Sequence, residues 1–364
     1  RSSRPMRYTP AMSVELRPFR IGDVEIGFPV VLAPLAGYTD LPYRRLCRRL
    51  GAAYCATEML LDKSVLASGK LRRRLLARDP DEHPLAGQLI GGEPDTMARA
   101  AEALCREGFD VIDLNFACPV RKALSRGRGG HMMRDPDRAV RIARAVLAAV
   151  DRPVTLKLRR AFAASDGADA FWRIAEASLA AGAAGICVHG RSVEQKYTGP
   201  ADWDFLAEVR GRLPKATVIG SGDALTPGAA LDMLVRTGVD GAAAARGVLG
   251  NPWFFRQVAD LAAGREPYRP TLAEQRELLR EHFDAACELY GPMRGPKIMR
   301  KFGIRYARMH PTPRAVRMAF VAVKRPDEWH RVLDAFYADD APVPRRRAGD
   351  AAAPDPCYNP GPET

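Results

Sequence analysis

The sequence contains no C-x-x-C pair, and its seven cysteines, at positions 47, 55, 105, 118, 187, 287 and 357, are scattered without a paired framework. That spacing argues against both a zinc module and a disulfide scaffold, so no metal is expected, and a reducing, cytoplasmic setting fits. No apolar run approaches the length of a membrane span. The opening residues, RSSRPMRYTPAMSVELRPF, are basic but lack the apolar centre of a secretory signal. Residues 1–18 are read as a flexible leader, with Met6 and Met12 as alternative starts. A G-x-G-x-x-G turn is missing after the first apolar strand, 30–33, which removes the main argument for an open doubly wound sheet. Acidic charge is in deficit: 43 Asp and Glu against 56 Lys and Arg leave a net charge of +13. The excess favours a polyanionic partner, nucleic acid or an acidic membrane surface, although a basic surface can also be merely solvated.

What the chain does have is a regular alternation of strand and helix. Apolar strands are read at 30–33, 52–59, 85–90, 110–116, 153–158, 185–190, 216–221 and 240–245, with amphipathic helices at 41–50, 95–106, 136–149, 168–181, 203–212 and 227–237. Alternation of this kind means parallel pairing, and eight such units make a closed (β/α)8 TIM barrel, whose chemistry sits at the C-terminal ends of the strands. Ahead of it, FRIGDVEIG reads as a short hairpin covering one end. A composition shift follows Asn251-Pro252, and a small helical domain without strands is read from about 271 to 336. The domains expected are the leader, a barrel over 19–260, a helical domain over 268–338 and a disordered tail over 341–364.

The strand ends are chemically unusual. In VIDLNFACPVRKALSRGRGGHMMRDP, an apolar strand stops at Cys118-Pro119 before a basic, glycine-rich loop. A thiol there can act as nucleophile or proton donor, or it can simply pack, as most cysteines do. Strand one ends in Pro34, Leu35, Ala36 and Gly37, small enough for a flat ligand to approach; Gln88, Asn115 and Lys157 lie on strands three, four and five. Gln88 and Asn115 could instead satisfy loop backbone, and His189 could be a structural histidine. Lys157 resists that treatment, because an ammonium in an apolar strand calls for an anion or an electron-rich ligand. The loops carrying Ser221, Gly222 and Asp223, and Ala245 and Arg246, stand where such barrels hold a phosphate. Together these residues imply a phosphate-bearing flat cofactor.

The stretches APLAGYTDLPYRRLCRRLGA, TEM, DVIDLNFACPVRKA, RGRGG, PVTLKLR, VHGRSVEQKYTGPADW, VIGSGD and ARGVLGNPWFF occur in order over about 30–256. Through them the chain resembles the tRNA-dihydrouridine synthases, flavoenzymes that reduce selected tRNA uridines. The resemblance implies bound FMN lined by Pro34, Leu35 and Ala36, with Gln88 bonded to its ring system. It places Lys157 at the electron-accepting edge of the ring, His189 beside it, and Ser221, Gly222, Asp223, Ala245 and Arg246 on the phosphate. Asn115 and Arg191 would lie near the target base, Cys118 would give the proton to uracil C5 after hydride reaches C6, and NADPH would re-reduce the flavin.

Three positions depart from the family pattern: Ala117 stands where glycine is usual, Ser221 for asparagine and Ala245 for glycine. Ala117 is expected to alter the turn that aims the thiol, and the other two to weaken FMN retention. In the helical domain, Arg294, Lys297, Lys301, Arg305 and Arg308 recur at three- and four-residue steps, one helical face if Gly303 does not break the helix. The resemblance makes that face a tRNA contact rather than a solvated surface, and adds Arg121, Lys122, Arg126 and Arg128 beside the mouth. A monomer is expected. Two rivals stay open: a small-molecule flavin oxidoreductase on the same barrel, and a tRNA-binding relative without turnover.

Overall fold

The computed structural model describes residues 13–338. The tail read over 341–364 and residues 1–12 of the leader lie outside the described residues. Residues 13–18 have no regular structure, and Val14 donates its N–H to the Ala262 carbonyl at 2.8 Å. The described residues divide into two compact units, one of 13–119 with Arg126–Tyr268, the other of Val120–Ser125 with 269–338.

The first unit opens with an antiparallel hairpin, β1 (Phe19–Ile21) and β2 (Val24–Ile26). The strands that follow are β3 (Val30–Leu32), β4 (Cys55–Ala56), β5 (Leu60–Leu61), β6 (Leu85–Ile90), β7 (Val111–Asn115), β8 (Val154–Arg159), β9 (Gly185–His189), β10 (Thr217–Ser221) and β11 (Gly241–Ala244). All of their pairings are parallel. The order β4-β3-β11-β10-β9-β8-β7-β6 closes because β4 also pairs with β6, giving the (β/α)8 barrel. The second strand, expected to run unbroken over 52–59, is instead short and split into β4 and β5. Thr57 is the reason: its hydroxyl accepts the Gln88 N–H (3.1 Å) and donates to the Glu58 carbonyl (2.8 Å), replacing a rung of the backbone ladder.

Local signals set the helix starts. Asp40, Asp135, Asp202 and Thr226 each accept the N–H three residues ahead, from Tyr43, Arg138, Phe205 and Ala229, and proline follows at the start of three of these helices. Two short helices, Asp62–Leu66 and Lys70–Leu75, escaped the sequence reading. The hairpin closes the N-terminal end of the barrel. Phe19, Ile21 and Ile26 are buried with Val31, Tyr54, Val111 and Ile219, and the Thr217 hydroxyl, at the start of β10, bonds the Arg20 carbonyl at 2.6 Å. At the start of β11, a Cβ on Gly241 would lie 3.0 Å from the Phe19 ring.

The second unit contains the helices Leu272–Tyr290, Gly295–Tyr306, Pro313–Ala322 and Pro326–Phe336. Phe283 stacks on Trp329 at 4.9 Å, and Phe320 lies against the same indole at 4.6 Å. Gly303 does not break its helix; a Cβ there would stand 2.5 Å from the Phe320 ring, so glycine lets the neighbouring helix come close. His282 is fully buried in this core, its Nδ1 3.1 Å from the Tyr306 hydroxyl, and burial, helped by the Lys301 charge, pushes its imidazole down from 6.5 to about 3. A base whose folded pKa is depressed takes up a proton on unfolding, so its contribution is present above about pH 6.5 and is lost as pH falls toward 3. Denaturant unfolding at pH 4.5 should therefore show about 2–3 kcal/mol less stability from this group than at pH 7. His282→Gln should remove that increment, and a variant with the parental pH dependence would refute the assignment.

Candidate active site

The barrel register sets the strand-end side chains in three successive rows. Gln88, Asp113 and Thr155 stand level on β6, β7 and β8; Asn115, Lys157 and Cys187 on β7, β8 and β9; Arg159, His189 and Ser221 on β8, β9 and β10. Rows two residues apart share one face of each strand, so all three share the barrel lumen.

The lower rows lead to Cys118. Asp113 accepts hydrogen bonds from Gln88 Nε2 (2.6 Å) and the Thr155 hydroxyl (2.7 Å), and burial holds its carboxyl above the usual carboxylate range. Gln88 Oε1 accepts from Asn115 Nδ2 at 2.7 Å, and Asn115 Oδ1 accepts the N–H groups of Ala117 (3.1 Å) and Cys118 (2.9 Å). Arg159 Nε grips the Ala117 carbonyl at 2.9 Å, and the Gly130 N–H reaches the Cys118 carbonyl at 2.9 Å. A Cβ on Gly129 would lie 2.8 Å from that of Cys118, so RGRGG packs against the cysteine because side chains are missing. Cys118 itself is buried. Ala117 needs no special backbone: among described non-glycine residues only Lys196 and Asp223 have positive φ, so neither Ala117 nor Ala245 is strained where glycine was expected.

The upper rows are strongly cationic. Lys157 Nζ lies 3.3 Å from both Cys187 Sγ and Ser221 Oγ, and among the described residues it makes no ion pair. Burial, then the charges of Arg159, Lys157, Arg191 and Arg246, push His189 well below the ordinary histidine range. Its Nδ1 accepts the Arg191 N–H at 3.2 Å, so the neutral ring carries its proton on Nε2. Asp223, in a left-handed backbone conformation at φ 62°, bonds Arg191 Nη2 at 2.6 and 2.7 Å and meets Arg246 at 3.5 Å. Arg191 Nη1 is buried without a hydrogen-bond partner. Tyr197 lies 5.0 Å from the Arg246 guanidinium and 5.9 Å from that of Arg159.

Pro34, Leu35 and Ala36 form the partly exposed turn after β3. Leu35 exchanges bonds with Thr39 (3.0 Å), Gly37 donates to Glu58, and Arg44 Nη1 holds the Thr39 carbonyl at 2.9 Å. Sequence reasoning assigned no role to Asp113, Arg159, Cys187 or the Arg44–Glu82 pair. Thus Gln88 and Asn115, expected at the cofactor ring and the base, have amides engaged with each other and with the cysteine turn. In the second unit, Lys297, Lys301 and Arg305 recur every four residues on one helix, Lys297 exposed and the others half-buried. Arg121 and Lys122 stand on the short helix Arg121–Leu124, also in that unit, whereas Arg126 and Arg128 belong to the first.

The upper rows fit a phosphate-bearing flat cofactor. An unpaired lysine ammonium faces neutral groups, and a buried guanidinium nitrogen lacks an acceptor. Among the described residues no cluster of His, Cys, Asp and Glu could hold a metal ion, and no helix is long and apolar enough to cross a membrane.

A family model described as dihydrouridine synthase matches residues 31–340. The chain belongs to the dihydrouridine synthase family. Dihydrouridine synthases are flavin-dependent oxidoreductases, and this chain is an enzyme of that class. A probable tRNA-dihydrouridine synthase of Rickettsia prowazekii (strain Madrid E) is 34% identical over 320 residues, 87% of this chain and 97% of the relative. The tRNA-dihydrouridine synthase B of Xanthomonas campestris pv. campestris is 39% identical over 299 residues, 80% of this chain and 87% of its own. Among solved structures, a 2-naphthoyl-CoA reductase in complex with 2-naphthoyl-CoA superposes with a TM-score of 0.54 at 12% identity over 69% of this chain. The match spans 52% of that longer chain, a likeness of fold alone.

Proposed function

We propose that this dihydrouridine synthase reduces specific uridines in the D-loop of tRNA to 5,6-dihydrouridine, binding FMN and consuming NADPH in the cytoplasm. The observation that carries the reading is the Cys118 turn, fixed by Asn115, Arg159 and Gly130 at the end of β7, in a barrel whose next strand carries an unpaired lysine. Bound flavin would supply a hydride to C6 of the uracil C5=C6 double bond. Lys157 would set its positive charge against the electron-accepting edge of the cofactor. Arg191, expected near the target base, is assigned to the phosphate instead because Asp223 of the loop after β10 holds its Nη2: Arg191 Nη1, Arg246 and the backbone of Ser221, Gly222 and Asp223 would hold the phosphate, with His189 donating from Nε2. Cys118 would deliver the proton to C5 from the opposite face. The target base must leave its stack to reach a barrel mouth.

The test is dihydrouridine formation, quantified by nucleoside mass spectrometry, in tRNA from a strain lacking the modification, with FMN and NADPH added. Product is expected. Absence of product alongside NADPH-reducible flavin would overturn the reading in favour of a small-molecule flavin oxidoreductase. The basic helix gives a second prediction: the Lys297→Glu/Lys301→Glu variant should bind tRNA about tenfold or more weakly and show a shallower dependence of affinity on salt, because fewer counterions are released. An unchanged salt slope would exclude these lysines from the RNA contact.

A further inference from the structure

We infer that Asp113 is a positioning residue for Cys118, its carboxylate setting the direction of a hydrogen-bond relay through Gln88 and Asn115 to the cysteine turn. The inference rests on the proposed role of Cys118. Backbone N–H groups only donate, so Asn115 must face Ala117 and Cys118 with Oδ1. Its Nδ2 therefore points at Gln88, which must answer with Oε1, and Gln88 Nε2 is left facing Asp113. An ionised carboxylate accepts and cannot donate, so the two ends of the relay demand the same orientation of both amides. The second carboxylate oxygen is taken by Thr155.

All four side chains are buried, Gln88 completely, so water cannot repair a mismatch. A donor at position 113 would let Gln88 turn over, and Asn115 would follow. An amide N–H would then meet the two backbone N–H groups, and the turn would lose its side-chain support. Asp113→Asn changes almost no volume, yet it removes the constraint on direction. Asn115→Asp sets two carboxylates against one Gln88 donor, but the carboxylate at 115 still accepts both turn N–H groups.

Exchanging the two residues restores the direction. In the Asp113→Asn/Asn115→Asp variant, the amide at 113 donates to Gln88 Oε1, Gln88 Nε2 donates to the carboxylate at 115, and that carboxylate accepts both turn N–H groups. No merely structural role for Asp113 predicts this rescue.

The experiment is the rate of Cys118 alkylation by iodoacetamide in the purified full-length protein, without RNA or nicotinamide. It is read on the Cys118 peptide by mass spectrometry, because Cys105, Cys187 and Cys287 are also partly accessible. Asp113→Asn should react about tenfold faster than the parent, the change expected for loss of one net hydrogen bond, and the exchanged pair should return to within about threefold. An unchanged or slower rate in Asp113→Asn, or an exchanged pair no slower than Asp113→Asn, overturns the inference. Should the charge variants fail to fold, Gln88→Met cuts the relay without moving a charge, and a parental rate there overturns it equally. Failure of the dihydrouridine assay would refute the proposed function and leave this result untouched.

Discussion

Cys118→Ala should lower dihydrouridine formation by about 10²–10⁴-fold, the range that a positioned general acid contributes, while flavin content and NADPH-driven flavin reduction stay at parental values. The split follows from how the turn is built. Asn115, Arg159 and Gly130 bind backbone atoms of Ala117 and Cys118, so removing the thiol leaves every one of those bonds in place. Under the proposed function, what is lost is the proton source at C5. Single-turnover product formation with pre-reduced enzyme makes the measurement, because it excludes the nicotinamide step. A variant that keeps more than about a tenth of parental activity would remove Cys118 from the proton-donor role.

Glu82→Ala should cost about 3–5 kcal/mol in denaturant unfolding and should release flavin with it. Arg44 and Glu82 are each 2% exposed and form a two-point contact at 2.6 and 2.9 Å. Truncating the acid strands a buried guanidinium, which is far costlier than removing the pair. The same guanidinium holds the carbonyls of Thr39 and Ala77 at 2.9 Å, so the disturbance passes straight into the turn containing Pro34, Leu35 and Ala36. Arg44→Met/Glu82→Met should recover much of the stability, since no charge is then left unpaired. A loss below about 1 kcal/mol in Glu82→Ala would show that water or another acceptor replaces the carboxylate.

Much of the fold could be read from the sequence because its signals are local. Asp135-Pro136 and Thr226-Pro227 cap their helices as their residue types predict, and those helices span 136–149 and 227–237 as expected. The split second strand was hidden because a side chain, Thr57, took over a backbone rung, which no hydrophobic pattern records. The site divides in the same way. Lys157 stood out as a charge in an apolar strand. Asp113 lay inside a strand read correctly and Arg159 one residue beyond the strand read at 153–158, yet neither drew attention, because Asp113 works through Gln88 level with it on the next strand and Arg159 through the Ala117 carbonyl, 42 residues away. Arg44 and Glu82 meet across 38 residues and leave no motif. Ala117, expected to alter the turn, sits in it without a left-handed backbone, and side chains from β7 and β8 hold the turn there.

The hairpin β1–β2 has its effect on traffic. With Phe19, Ile21 and Ile26 sealing the N-terminal end, the C-terminal ends of the strands are left as the doorway that the proposed function requires. Under the proposed function, the hydride donor and the RNA base must pass through that doorway one after the other. The enzyme then works in two strokes, loading electrons in the first and unloading them in the second, and an excess of either visitor delays the other at the threshold.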